Sequence, residues 1–114
     1  MKSKLIVKNT KIYGRGVFST QNIKKGSLLF KDHYLEFKNK DLKYGKETIL
    51  NCYWYDNQKS CLLALGLGSL LNHNLNSNVE CVIDEKNKVI EFYSTKSILK
   101  GEQLFLDYGY DPCK

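Results

Sequence analysis

Three short stretches of this chain hold residues whose types and spacing suit chemistry as well as packing. In YGRGVF (13–18), two glycines one residue apart let backbone approach a ligand closely, and a row of bare N–H groups suits an anionic group. Arg15, the sole arginine of the chain, lies between them. In NHNLNSN (72–78), asparagines alternate around one of only two histidines, at the end of the apolar, glycine-broken run CLLALGLGSLL. Each asparagine amide carries both donors and an acceptor, which suits the recognition of a polar ligand. In GEQLFLDYGYD (101–111), strand alternation puts Tyr108 and Tyr110 on one side. Taken singly, each stretch has a plainer account: a hairpin turn, an asparagine-rich surface loop, and core tyrosines with wet hydroxyls. A His–Cys or Ser–His pairing is compatible with the spacing, but no nucleophile-elbow signature accompanies it.

The elements that must position these residues are short strands punctuated by turns. KLIVK (4–8), a strand beginning at Val17–Phe18, SLLFKD (27–32), YLEFK (34–38), ECVID (80–84), KVIEFYST (88–95) and QLFLDY (103–108) have strand composition or alternation. EKNK (85–88) reads as a hairpin connection that lacks the usual glycine. At most a helical turn or two is expected near 60–71. IKKGSLLF (23–30) and ILKGEQLF (98–105) echo one another, and Gly26 and Gly101 each sit where a tight turn before a strand needs positive φ. The class is mainly β with little helix.

A chain of 114 residues suits one domain, and 42% hydrophobic with 26% charged residues describes a soluble globular protein. The start MKSKLIVK has no apolar stretch fit for a signal peptide, and no window approaches the roughly 20 apolar residues of a membrane span. An intracellular soluble protein with no membrane partner is expected, in the cytoplasm or a host nucleus. The four cysteines show no C-x-x-C pair, so free thiols are expected and a metal site is not. The net charge of +6 is nearly all lysine interspersed with acids, which favours a solvated surface over a dedicated polyanion-binding face.

Taken together and in order, Gly-x-Gly-Val-Phe, Asn-His-x-x-x-x-Asn and Gly-Glu-x-Leu-x-x-Asp-Tyr-Gly resemble the SET domain, the family of lysine methyltransferases that use S-adenosylmethionine. The likeness runs from about Leu5 to Asp111, and YWYD (53–56) and LALGLGSLLNH (63–73) resemble segments of compact viral and bacterial members. It implies one SET domain over 1–114, built of several short-stranded sheets with a C-terminal pseudoknot and without zinc-binding segments before or after it. It also implies that Gly14, Arg15 and Gly16 lie along the amino-acid part of the cofactor. Asn72 and His73 would hold its methionine amine and adenine, with the backbone of LALGLGSLL beside it. Tyr108 would be the catalytic residue, and Tyr53, Tyr55 and Tyr110 would wall the substrate channel. Within the loop, Asn74, Leu75 and Ser77 replace the family's Ser, Cys and Pro, which bears on loop rigidity, whereas Asn72, His73 and Asn78 are kept.

The activity the resemblance implies is methyl transfer to a lysine of a histone or other basic tail. It requires neutral lysine, although the free amine has a pKa of about 10.4. An apolar aromatic channel and the neighbouring sulfonium both disfavour the ammonium. With three residues after Asp111 in this sequence, the lid that often completes the channel is not expected within it, and a second subunit supplying one, as a symmetric dimer, is expected. Two other readings compete. One is a SET-like module that binds peptide without turnover; the other is a small basic β protein that binds nucleic acid through Lys38–Lys46 and its aromatics.

Overall fold

The computed structural model describes residues 4–12, 14–38, 54–57 and 60–107, with 37, 38, 54–57, 60 and 61 described by backbone alone. Strands β1 (Leu5–Asn9) and β2 (Arg15–Ser19) pair antiparallel from Leu5↔Ser19 to Asn9↔Arg15. Gly14 makes the turn between them at φ +77°, a conformation open to glycine at little cost. The larger sheet holds β3 (Leu28–Lys38), β4 (Trp54–Asn57), β5 (Ser60–Ala64), β6 (Asn72–His73), β7 (Val79–Asp84), β8 (Val89–Ser94) and β9 (Phe105–Leu106). Its order is β4-β5-β3-β8-β7-β9-β6. This is the expected mainly β architecture; the one helical element among the described residues is a 3-10 turn, Leu67–Leu70.

The two strands expected over 27–32 and 34–38 are one. β3 runs through because it changes partner along its length: Leu28–His33 pair with β8 and Tyr34–Lys38 with β5. The expected helical turns near 60–71 are confined to Leu67–Leu70, since 60–64 form β5, which has β3 on one side and β4 on the other. The expected strand 103–108 is short, with ladder pairing at Phe105–Leu106 and a single bridge from Gln103 to Phe18. The hairpin over 85–88 forms without glycine. Lys88 takes the left-handed conformation (φ 57°), and the Asp84 carboxylate accepts from Asn87 N at 3.1 Å and Nδ2 at 2.8 Å.

Alternation along β8 turns Ile90, Phe92 and Ser94 inward. Phe92 stacks on Phe30 with ring centroids 4.4 Å apart, and Val17, Leu62, Leu71, Ile98 and Leu104 complete a core with no exposed surface or nearly none.

The sequence echo is a structural pair. Ile23 and Ile98 are both buried and exchange hydrogen bonds, Ile23 N to Ile98 O at 2.7 Å and Ile98 N to Ile23 O at 2.9 Å. Around them two further contacts occur as matched pairs. Gly26 N donates to Ser94 O (2.8 Å), as Gly101 N does to Ser19 O (3.0 Å). Ser94 Oγ donates to Lys24 O (2.8 Å), as Ser19 Oγ does to Leu99 O (2.6 Å). Gly26 and Gly101 have φ of +83° and +92°, as their turns require. The repeat therefore extends to FSTQNIKKGSLLF (18–30) and YSTKSILKGEQLF (93–105), and each copy supplies the hydrogen-bond partners of the other.

Candidate functional site

The C-terminal strand is inserted between the two arms of the asparagine loop. β9 runs parallel to β6 on one side (Asn72↔Phe105, His73↔Leu106) and to β7 on the other (Val79↔Leu106). This is the expected pseudoknot. Its clasp is Asn78, a buried side chain that behaves as a strand partner: Oδ1 accepts Phe105 N at 2.8 Å and Nδ2 donates to Gln103 O at 2.9 Å. Backbone bonds from Asn78 N to Phe105 O (3.1 Å) and Asn74 N to Leu106 O (3.3 Å) close the two sides. Buried polar groups satisfied in this way fix one arrangement.

The loop that lost its serine and proline is braced by other means. Asn74 Oδ1 accepts Asn76 N at 2.8 Å, an Asx turn, and Lys96 Nζ donates to Asn76 Oδ1 at 2.7 Å. Thr95 N ties the far end to Asn78 O at 2.9 Å.

Asn72 stands where the three motifs meet. Its Nδ2 donates to Arg15 O at 3.0 Å and to Gln103 Oε1 at 2.9 Å. Gly16 lies against this pair, and a Cβ there would stand 2.6 Å from Gln103 Oε1 and 3.0 Å from Asn72 Nδ2. The close approach that Gly16 permits is thus made by two side chains of the protein itself. Gly14 and Arg15 are exposed beside it. His73 is 18% exposed, with Nδ1 3.9 Å from Asp107 Oδ1, an ion-pair distance once the ring is protonated and too long for a hydrogen bond. Arg15, Gly16 and Asn72 therefore come together, with Gly14 and His73 adjoining them in sequence. Tyr53, Tyr108 and Tyr110 lie outside the described residues, and Tyr55 is described only as backbone of β4.

Sequence reasoning missed two residues. Gln103 was the open position in Gly-Glu-x-Leu, and nothing local marks it. Asp32 carried a signal: on β3 it shares the parity of Phe30 and Tyr34, two residues packed against the core. Strand alternation therefore turns its carboxylate inward. It is 7% exposed, and Oδ2 accepts Gly68 N at 2.6 Å. A Cβ on Gly66 would stand 2.4 Å from Asp32 Oδ1, and one on Gly68 would stand 2.5 Å from Phe92 Cζ. Gly66 and Gly68 of LALGLGSLL thus close on Asp32 and Phe92. Burial pushes the Asp32 carboxyl above its ordinary range, with the Gly68 N–H bond and the nearby His33 pulling the other way. Burial likewise raises the thiol of Cys81, a free cysteine. Among the described residues no three His, Cys, Asp or Glu side chains group as metal ligands, and no helix is long and apolar enough to cross a membrane.

Comparison with known proteins agrees with this geometry. A histone-lysine N-methyltransferase of Schizosaccharomyces pombe, specific for H3 lysine-37, is 33% identical over 113 residues, covering 96% of this chain and 76% of that protein. N-lysine methyltransferase KMT5A-A of Danio rerio is 31% identical over 112 residues, covering 84% of this chain. The Xenopus laevis KMT5A-B is 27% identical over 111 residues with the same share of this chain. The alignments span 33% of the Xenopus protein and 32% of the Danio protein. A solved structure from Plasmodium falciparum, assigned as a histone methyltransferase, superposes over 100% of both chains with a TM-score of 0.76 at 26% identity. The SET domain family model matches residues 14–109, the span that carries all three motifs, and the chain belongs to that family.

Proposed function

We propose that this protein transfers a methyl group from S-adenosylmethionine to a lysine amine of a protein substrate, a histone or other basic tail, inside the cell. The observation that carries the reading is the convergence of Arg15, Asn72 and Gln103, from three distant segments, on one hydrogen-bonded corner beside the exposed Gly14–Arg15 backbone. The corner fits the cofactor's amino-acid end. With both amide protons of Asn72 bonded inside the protein, its Oδ1 is the atom left to accept from an ammonium. His73, on the next residue of β6, offers backbone groups for the adenine edge.

When bound, the cofactor supplies an electrophilic methyl on a sulfonium. The chain's own residues must bind and orient both reactants in line, which provides much of the acceleration. They must also keep the lysine neutral, at a cost of roughly 4–5 kcal/mol at pH 7 for an amine of pKa about 10.4, which apolar aromatic walls from Tyr53, Tyr55 and Tyr110 reduce. Tyr108, two residues beyond Leu106 of β9, is assigned to orient the lysine nitrogen and to stabilise the methyl as charge leaves sulfur. It is not assigned as a base, because a phenol of pKa about 10 stays protonated at neutral pH. Incubation with isotopically labelled S-adenosylmethionine and a panel of histones, read by mass spectrometry, is expected to place label on lysine side chains. Absence of label on every histone and on basic peptides, from protein shown to bind the cofactor, would leave the non-catalytic peptide-binding module as the reading.

A further inference from the structure

Asn72 spends both of its amide protons within the protein, on Arg15 O at 3.0 Å and Gln103 Oε1 at 2.9 Å. A backbone oxygen can only accept, so the nitrogen side of the Asn72 amide must face Arg15, and Gln103 must then present its oxygen to the remaining proton. Turning the amide over would set Asn72 Oδ1 against the Arg15 oxygen, acceptor against acceptor. The second bond, to Gln103, therefore decides how firmly Asn72 shows its oxygen outward.

Gln103 has a built seat for this task. Its backbone bridges Phe18, its carbonyl accepts Asn78 Nδ2 at 2.9 Å, and the next residue, Leu104, donates to Val17 O at 2.8 Å. Gly16 leaves room for the side chain where any Cβ would come within 2.6 Å of Oε1.

We propose that Gln103 is a positioning residue that sets the polarity of the site. By taking one proton of Asn72 it makes that side chain an acceptor toward the ligand, and so selects ligands that carry an ammonium at this point. The proposal rests on the methyltransferase reading, in which the ammonium is that of the cofactor's amino-acid end.

Gln103→Met keeps length and volume and removes the acceptor; Gln103→Glu keeps the acceptor. Calorimetry with S-adenosylhomocysteine and with its desamino analogue separates orientation from packing. The Met variant is expected to bind S-adenosylhomocysteine about five- to tenfold more weakly, the effect of one hydrogen bond. The Glu variant is expected to hold wild-type affinity or exceed it, and the desamino analogue to bind wild type and Met variant alike. Wild-type affinity in a folded Met variant, or equal loss for both ligands, overturns the proposal. A readout without ligand comes from the side-chain amide of Asn72 by NMR. Its protons are expected to exchange slowly in wild type and in the Glu variant, and one of them to exchange faster in the Met variant. That pattern in a wild-type protein that binds neither ligand would remove the methyltransferase reading and leave the hold of Gln103 on Asn72 standing. Unchanged exchange in the Met variant would remove the hold itself.

Discussion

The two copies of the repeat make the same turn and lead to different ends. After the first, Ser27–Leu28–Leu29–Phe30 feeds β3, where Phe30 stacks on Phe92 and the strand serves the core. After the second, Glu102–Gln103–Leu104–Phe105 feeds β9, where Gln103 meets Asn72 and Phe105 pairs beside it. Leu28, 42% exposed, occupies in the first copy the position that Gln103 holds in the second. Local turn chemistry is therefore shared, and the copies part where the second carries a polar side chain and is threaded through a loop.

The strongest way to break this comparison is at its axis. Ile23 and Ile98 are equivalent in burial and in hydrogen bonding. Ile23→Ala and Ile98→Ala are each expected to destabilise the fold by about 2–5 kcal/mol, a lost core side chain plus its cavity. Urea denaturation measures both. A near-neutral effect at one site would show that the pairing is a likeness of shape without equal energetic standing.

Beyond the repeat the second copy runs on to Tyr108. Tyr108→Phe removes only the phenolic oxygen, and turnover is expected to fall on the order of 10²-fold, as when a preorganised donor is lost. Melting temperature and cofactor affinity should hold. Single-turnover methylation on a sample whose melt has been recorded tests both, and wild-type turnover in the folded variant would end the catalytic assignment.

The turns themselves offer a matched pair. At φ of +83° and +92°, a Cβ added to Gly26 or Gly101 would meet no heavy atom within 4 Å, so alanine there brings conformational cost and no clash. Gly26→Ala and Gly101→Ala should each cost roughly 1–2 kcal/mol, the penalty for a left-handed L-residue. Only Gly101→Ala should also weaken binding of S-adenosylhomocysteine, because its turn delivers Gln103. Equal binding by both variants would mean that Gln103 is set by β2 and Asn78 and owes nothing to the turn.

How much of this was legible beforehand follows from whether the signal is local. Gly26 and Gly101, each in a Lys-Gly turn before a Leu-Phe pair, were readable because a turn of this kind is written in adjacent residues. The joining of two expected strands into β3 was not, since its continuity depends on β5 and β8, which lie far away in sequence. Asp84 and Lys88 made a hairpin without glycine, so composition marked the turn while the residue carrying positive φ stayed hidden. Gly14, Arg15, Gly16, Asn72 and His73 were grouped through a family resemblance, and no periodicity in the chain brings them together. Gln103 was invisible because its work is defined by a partner 31 residues away. Asp32 was in plain view as a carboxylate at an inward strand position.

Asp32 gives the smallest expected effect and a test of what the first copy's strand contributes to the site. It ties β3 to the segment that leads into Asn72, through Oδ2 and Gly68 N at 2.6 Å. Burial raises its folded-state pKa above the ordinary carboxylate value, so the folded protein takes up this proton more readily than the unfolded chain does. Below the unfolded value the group is protonated in both states and carries no penalty. As pH rises through the folded value, ionisation costs the folded state more, and stability is lost. Asp32→Asn keeps an oxygen for Gly68 N and cannot ionise; whatever its extra amide protons cost is the same at every pH. The stability of wild type relative to Asp32→Asn should therefore decline from acid toward neutral pH, while the acid response of all other groups cancels in the difference. Urea titrations of both proteins across that range read the slope. A flat difference would mean that Asp32 is as well solvated in the fold as in the open chain, and a rising one would mean that the Gly68 bond outweighs burial.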